Sequence, residues 1–152
     1  VGTRQSGDPA IWDGEHVELL IETDKHSYYQ IVVNPAGAVL DLDRGASRDA
    51  WYGWSSQAEV AAHVGDGYWS VELRLPITAS DEDPLHQMMG SRPFKAKSDD
   101  LATGKGTSLP WHFNLFRKRA GSEDGETTAF SPLGPDAKTF HDRMKFAELY
   151  IR

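Results

Sequence analysis

The sequence predicts an all-β chain folded as a two-sheet antiparallel sandwich of jelly-roll-like kind, and three observations predict it. Apolar residues recur with a period of two and not 3.6, the apolar runs are short, and clusters of Gly, Pro, Asp and Asn separate them. Eight such runs suit two packed sheets.

Taken in order, the first strand is expected at His16–Glu22, directly after the turn-like Asp13-Gly14. Strands at Ser27–Asn34 and Ala38–Asp43 flank Pro35-Ala36-Gly37, and strands at Ala58–His63 and Tyr68–Ile77 flank Gly65-Asp66-Gly67. In the fifth run Trp69, Val71, Leu73 and Leu75 fall on one face and Ser70, Glu72 and Arg74 on the other. Pro76 then ends ladder donation. Between Thr78 and Pro110 the composition turns to Asp, Ser, Gly, Lys and Pro, a loop excursion near 78–110 in which "DPLHQMMG" reads as one helical turn. Strands at Trp111–Lys118, Thr127–Ser131 and Phe146–Arg152 complete the set. The chain, 152 residues with 39% apolar content, is about one domain's worth.

Charge and composition remove several functional classes. With 16 Lys+Arg against 23 Asp+Glu, the net charge of −7 opposes a phosphate-backbone partner, so no nucleic acid is expected; the one dense basic run, Arg117-Lys118-Arg119, is too short to reverse this. The absence of cysteine removes disulfides, thiolate metal sites and thiol nucleophiles. No run approaches the ~18 apolar residues of a membrane span, and "VGTRQSGDPA" has no apolar core of a signal peptide.

Trp12 raises the functional question, because a large aromatic at the mouth of a strand with acidic neighbours is either a packed turn or a ligand platform. A pyranose packs its axial C–H groups on an aromatic face, while carboxylates, amides and guanidinium groups read its hydroxyls. Glu18, Gln30, Asn34, Glu72, Arg74 and Asn114 are side chains of that type. The alternative is an ordinary strand-end aromatic beside cross-strand polar pairs. For "WYGW", Trp51 to Trp54, capping of the sandwich core competes with extension of a binding surface. Asn114 and Arg117 sit three apart and so on opposite faces of a regular strand; only one can share a face with Glu18.

Other chemistries were weighed on the same residues. A glycosidase needs two carboxylates across the scissile bond, for which Glu18 and Glu72 are the pair to consider, yet neither lies in a catalytic motif. His16, His26, His63, His86, His112 and His141 lack the spacing of a helical zinc site. Haem ligation by His86 with Met88 or Met89, or by His141 with Met144, competes with surface histidine and packing methionine. No cofactor is required; the metal chemistry the sequence admits is a structural calcium, at Asp41 and Asp43 or in "SEDGE", Ser122 to Glu126, although neither is an EF-hand loop.

Read together, "IWDGEHVELLIETD", "YYQIVVNPAGAVLD", "GYWSVELRLPI", "WHFNLFRKR" and "FSPLGPDAKTFHDRMKFAELYI" resemble, in order and over almost the whole chain, the family 9 carbohydrate-binding modules. The resemblance implies a non-catalytic β-sandwich that clamps a saccharide between two aromatic rings. Trp12 matches the first ring. Phe140 aligns with the second, where the best-known members carry tryptophan, so a thinner clamp is implied. Glu18 matches an acidic sugar contact, and Val32, between Gln30 and Asn34, stands where those members have an arginine. The expected ligand-binding set is therefore Trp12, Glu18, Gln30, Asn34, Asn114, Arg117 and Phe140. The alternative is a structural or interaction sandwich that has lost the sugar. The resemblance also implies an extracellular, periplasmic or cell-surface setting. Family members open with further strands before the "W…VE" segment. The chain is thus expected to be the C-terminal portion of a longer protein, its sandwich completed by an upstream segment or a second chain, with an open edge near Val17–Ile21 or an apolar groove as the sign.

Overall fold

In the computed structural model the described residues are 2–23, 28–75, 111–121, 126–137 and 139–149. They carry β1 (His16–Glu22), β2 (Tyr29–Val33), β3 (Val39–Asp43), β4 (Glu59–Val64), β5 (Trp69–Arg74), β6 (Trp111–Lys118), β7 (Thr127–Ala129) and β8 (Ala147–Leu149). The 78–110 excursion and its helical turn lie outside the described residues, as do His26, His86, Met88, Met89 and most of "SEDGE". β1 and β6 have the bounds expected from alternation; β3 and β4 begin one residue later than expected, β4 also reaches Val64, and the expected ends at 27, 76–77 and 150–152 lie outside the described residues.

All pairings are antiparallel. The larger sheet runs β3-β2-β1-β6-β7, with β8 also on β6, and β4-β5 form the second sheet; the fold is an all-β sandwich. β7 and β8 share one edge of β6, at Phe116–Lys118 and Trp111–Phe113 respectively. Asn114 sits between them, fully buried. Its amide donates to Ser131 O (3.0 Å) and accepts from Ser131 N (2.8 Å), so the side chain continues a ladder that the backbone leaves open at the handover.

Alternation divides the large sheet into two apolar faces. Ile21, Tyr29, Ile31, Val33 and Trp111 face the small sheet and meet Val60, Val71, Leu73 and Leu75. Trp54 joins them, stacked on Tyr29 at 4.4 Å between centroids, so this end of "WYGW" caps the core. Burial pushes the Tyr29 phenol far up from its ordinary value. The small sheet covers this face only in part. An apolar groove of about 610 Å³ runs between the sheets, walled by Val17, Leu19, Val71, Leu73, Leu115 and Phe130. β1 itself is paired along its length by β2 and β6, so the expected open edge at Val17–Ile21 is not seen.

The opposite face is also covered. Ile11 packs on Val32, Leu40 and Leu42; Phe146 packs on Leu20 and Phe116. Turns, not a third sheet, supply this cover, and their residues frame the site below. Among the described residues no helix is long and apolar enough to cross a membrane.

Candidate functional site

Register sets the rows of this second face. Leu40, Val32, Glu18, Phe116 and Ala129 form one row, and Leu42, Gln30, Leu20 and Asn114 the next. Arg44 follows β3 and donates its backbone N–H to Tyr28 O (3.1 Å), which extends the β2–β3 ladder and adds Arg44 and Tyr28 as a further row. Asn114 thus shares the face of Glu18, while Arg117, opposite Val17, lies on the other face and lines the inter-sheet groove.

A polar chain crosses the floor of this face. Glu18 is 4% exposed and Gln30 fully buried. The Gln30 amide nitrogen donates to Glu18 Oε2 at 2.6 Å, and Arg44 Nε donates to Gln30 Oε1 at 2.5 Å. His16 Nε2 meets Glu18 Oε1 at 3.0 Å and its Nδ1 meets Gly14 O at 2.8 Å. Both ring nitrogens face acceptors, so both contacts are hydrogen bonds when each nitrogen carries a proton. Four side chains are therefore oriented in series: imidazole, carboxylate, amide, guanidinium. The Gln30 amide sets the order, because between an accepting carboxylate and a donating guanidinium it fits only one way round.

Three partly exposed aromatic groups rim the floor. Trp12 rides on the 3₁₀ turn Pro9–Asp13, which Asp8 caps by accepting from Ala10 N (2.9 Å) and whose far end Lys118 Nζ holds through Trp12 O (3.0 Å). Its ring meets His16 edge-on at 5.4 Å. Trp51, on the 3₁₀ turn Arg48–Gly53, donates from its indole N–H to Ala46 O and lies under the Arg44 guanidinium, 4.1 Å from the ring centroid. Phe140 packs on Phe116 at 5.1 Å and on His141 at 4.2 Å. The Tyr28 hydroxyl meets His141 Nδ1 at 3.0 Å. Burial holds the His141 imidazole below its ordinary value, with the Arg44 charge acting the same way and Glu18 opposing. Burial likewise raises the Tyr28 phenol.

Trp12, Glu18, Gln30 and Phe140 thus meet on one face. Asn34, fully buried, is engaged in the fold: Oδ1 accepts from Ala36 N and Ala38 N, and Nδ2 donates to Thr3 O. Asn114 is engaged with Ser131, as above. Glu72 projects from the outer face of the small sheet, across the sandwich from Glu18, so these two carboxylates do not flank a common bond. Asp41 accepts from the Ser56 N–H and hydroxyl, and burial raises its carboxyl; Asp43 accepts from Gly45 N and Ala46 N. Among the described residues no three metal-ligating side chains converge. Met144 is 89% exposed.

Arg44 lies outside the expected set, whereas Trp51 belongs to "WYGW", for which extension of a binding surface was one of two expected outcomes. Neither lies on a strand with a readable period, and the pair meets only because the β3–turn connection folds back; a basic residue one position past a strand near a turn tryptophan is the faint signal. No protein-family model matches this chain, and no curated protein or solved structure matches it.

Proposed function

We propose that this face binds a saccharide without catalysis, its ring resting on aromatic side chains and its hydroxyls read by polar groups held in the chain above. The observation that carries this reading is the conjunction of an oriented His16–Glu18–Gln30–Arg44 chain with partly exposed Trp12 and Phe140 at its margins. Aromatic faces supply affinity and pre-oriented polar groups supply selectivity, with little ordering left to the moment of binding. Trp12 and Phe140 act as platforms. Glu18 and Gln30 act chiefly by orienting what the ligand meets. The five segments of resemblance to family 9 modules point the same way.

A single platform on one or two sugar rings buries little surface, so the dissociation constant is expected between about 1 µM and 1 mM. A glycan array followed by calorimetric titration tests the proposal. Binding that is lost in Trp12→Ala with the fold retained supports it; no binding to any saccharide on the array overturns it. The second reading, an interaction sandwich without sugar affinity, is favoured by the apolar inter-sheet groove.

A further inference from the structure

Arg44 is the one member of the polar chain whose charge is left open. His16 faces Glu18, and Gln30 bridges Glu18 to Arg44 through Nε alone. Glu18 therefore has a hydrogen-bond partner of its own in His16, and a neutral amide stands between it and Arg44. Among the described residues no carboxylate lies within ion-pair distance of Arg44, and no hydrogen bond engages its two terminal nitrogens. The nearby Arg143 contrasts with it, being paired with Glu22 at 2.7 Å. Asp43, next in sequence, points to the other face and is held by the turn at Gly45 and Ala46.

The guanidinium is also immobilised. Trp51 supports its plane from below at 4.1 Å and Gln30 fixes its Nε edge. Only the edge formed by the terminal nitrogens remains for a ligand. Arg44 is partly exposed. It is the cross-strand neighbour of Tyr28, whose hydroxyl meets His141 Nδ1 at 3.0 Å, so it stands beside the Phe140–His141 wall. A held planar fork whose two terminal nitrogens share one open edge matches a carboxylate in two parallel hydrogen bonds.

Resting on the saccharide reading above, we propose that the preferred ligand is an acidic sugar, a uronic acid whose carboxylate docks on Arg44 while its ring lies on the adjoining aromatic wall. A single carboxylate fits better than a polyanion such as a sulfated glycan. The chain as a whole carries −7, and long-range repulsion acts on every extra negative charge, whereas one short-range pair at Arg44 is gained only once.

The test is calorimetry with methyl glucuronoside and methyl galacturonoside against the matching neutral glucoside and galactoside, on wild type, Arg44→Gln and Arg44→Lys, with melts to confirm folding. In wild type at low salt at least one uronoside should bind about tenfold or more tighter than its neutral partner, and about 0.5 M salt should shrink that ratio. Arg44→Gln should bring the ratio to about one, and Arg44→Lys should retain only part of it, because an ammonium keeps the charge and loses the fork. If Arg44→Gln does not fold, the wild-type ratio and its salt dependence decide. Equal binding of neutral and acidic sugars by wild type overturns the acidic preference and leaves the saccharide reading standing. Binding of neither overturns both.

Discussion

Replacing Glu18 by glutamine exchanges one carboxylate oxygen for an NH₂ group and should disturb four residues. Glu18 accepts from His16 on one oxygen and from the Gln30 amide on the other. The introduced side chain has one oxygen and one NH₂. If the oxygen stays toward His16, two NH₂ groups confront each other at Gln30. If Gln30 turns over to resolve that, its own NH₂ then faces Arg44 Nε, which is also a donor. Either way one donor in a floor that is almost fully buried lacks its acceptor, and His16 faces a neutral amide in place of a carboxylate. One unsatisfied buried donor costs about 1–3 kcal/mol, and losing a hydrogen bond to a carboxylate about 1.5–3 kcal/mol, so about 2–4 kcal/mol is expected after partial relaxation. In a chain of this length that corresponds to a drop in Tm of roughly 4–16 °C. Urea melts should show a lower midpoint with an unchanged slope. The compensating change is Gln30→Glu on the Glu18→Gln background. The relocated carboxylate accepts from both the introduced amide and Arg44, and the amide oxygen accepts from His16, so donors and acceptors alternate again. The double variant should recover about half the loss, a coupling of about 1–2 kcal/mol within the range for residues in one network. A Glu18→Gln protein within about 0.5 kcal/mol of wild type would refute the continuous chain, since changes away from such features fall in that band. Additive effects in the double variant would refute the donor–acceptor alternation.

Four further outcomes are expected. Trp12→Ala should weaken saccharide binding by about tenfold or more and lower stability less than Ile31→Ala, which removes a buried side chain and should cost about 2–5 kcal/mol in denaturant melts. Gly37 has φ +78°, so Gly37→Ala should cost about 1–2 kcal/mol by the same assay, and a neutral result would show that the Asn34–Gly37 turn tolerates another backbone. His141 is held below its ordinary value of 6.5 in the fold. The unfolded chain therefore takes up the proton first, so stability is complete above about pH 6.5 and falls as pH drops below it toward the folded value; His141→Gln should flatten that slope in melts across the window. For the uronosides, the preference over neutral glycosides should be at least about tenfold at low salt.

Much of the architecture was legible because alternation is a local property. The bounds of β1 and β6 follow from side chains that switch faces at each residue, and the inward set of β5, Val71 and Leu73, follows for the same reason. Register is not local. Whether Asn114 or Arg117 joins Glu18 depends on the pairing of Glu18 with Phe116 across a separation of about a hundred residues, which no window of sequence contains. The same limit affects the polar residues. Asn34 has the right chemistry for a hydroxyl, but the sequence Asn34-Pro35-Ala36-Gly37 is a turn, and the amide is consumed in closing it; that signal was available. "WYGW" could be read as an extension of a binding surface, but the pairing of Trp51 with Arg44 could not be read, since it is set by the path of a turn and not by spacing.

The shared edge of β6 has a consequence for the wall carrying Phe140 and His141. That wall is strung between two strands of three residues each, β7 and β8, which hang end to end on one edge and are sutured at their junction by a single asparagine amide. Each anchor is short, and between them the span is held to the sheet by the Tyr28–His141 and Glu22–Arg143 contacts and by Phe140 and Phe146, so this edge is expected to open at lower cost than the strands paired along their whole length. Amide exchange in Ala147–Leu149 should then run ahead of exchange in β1 and β2. Anything that settles against Phe140 would slow β8 without touching it, which makes this edge a reporter of occupancy at the other end of the strap.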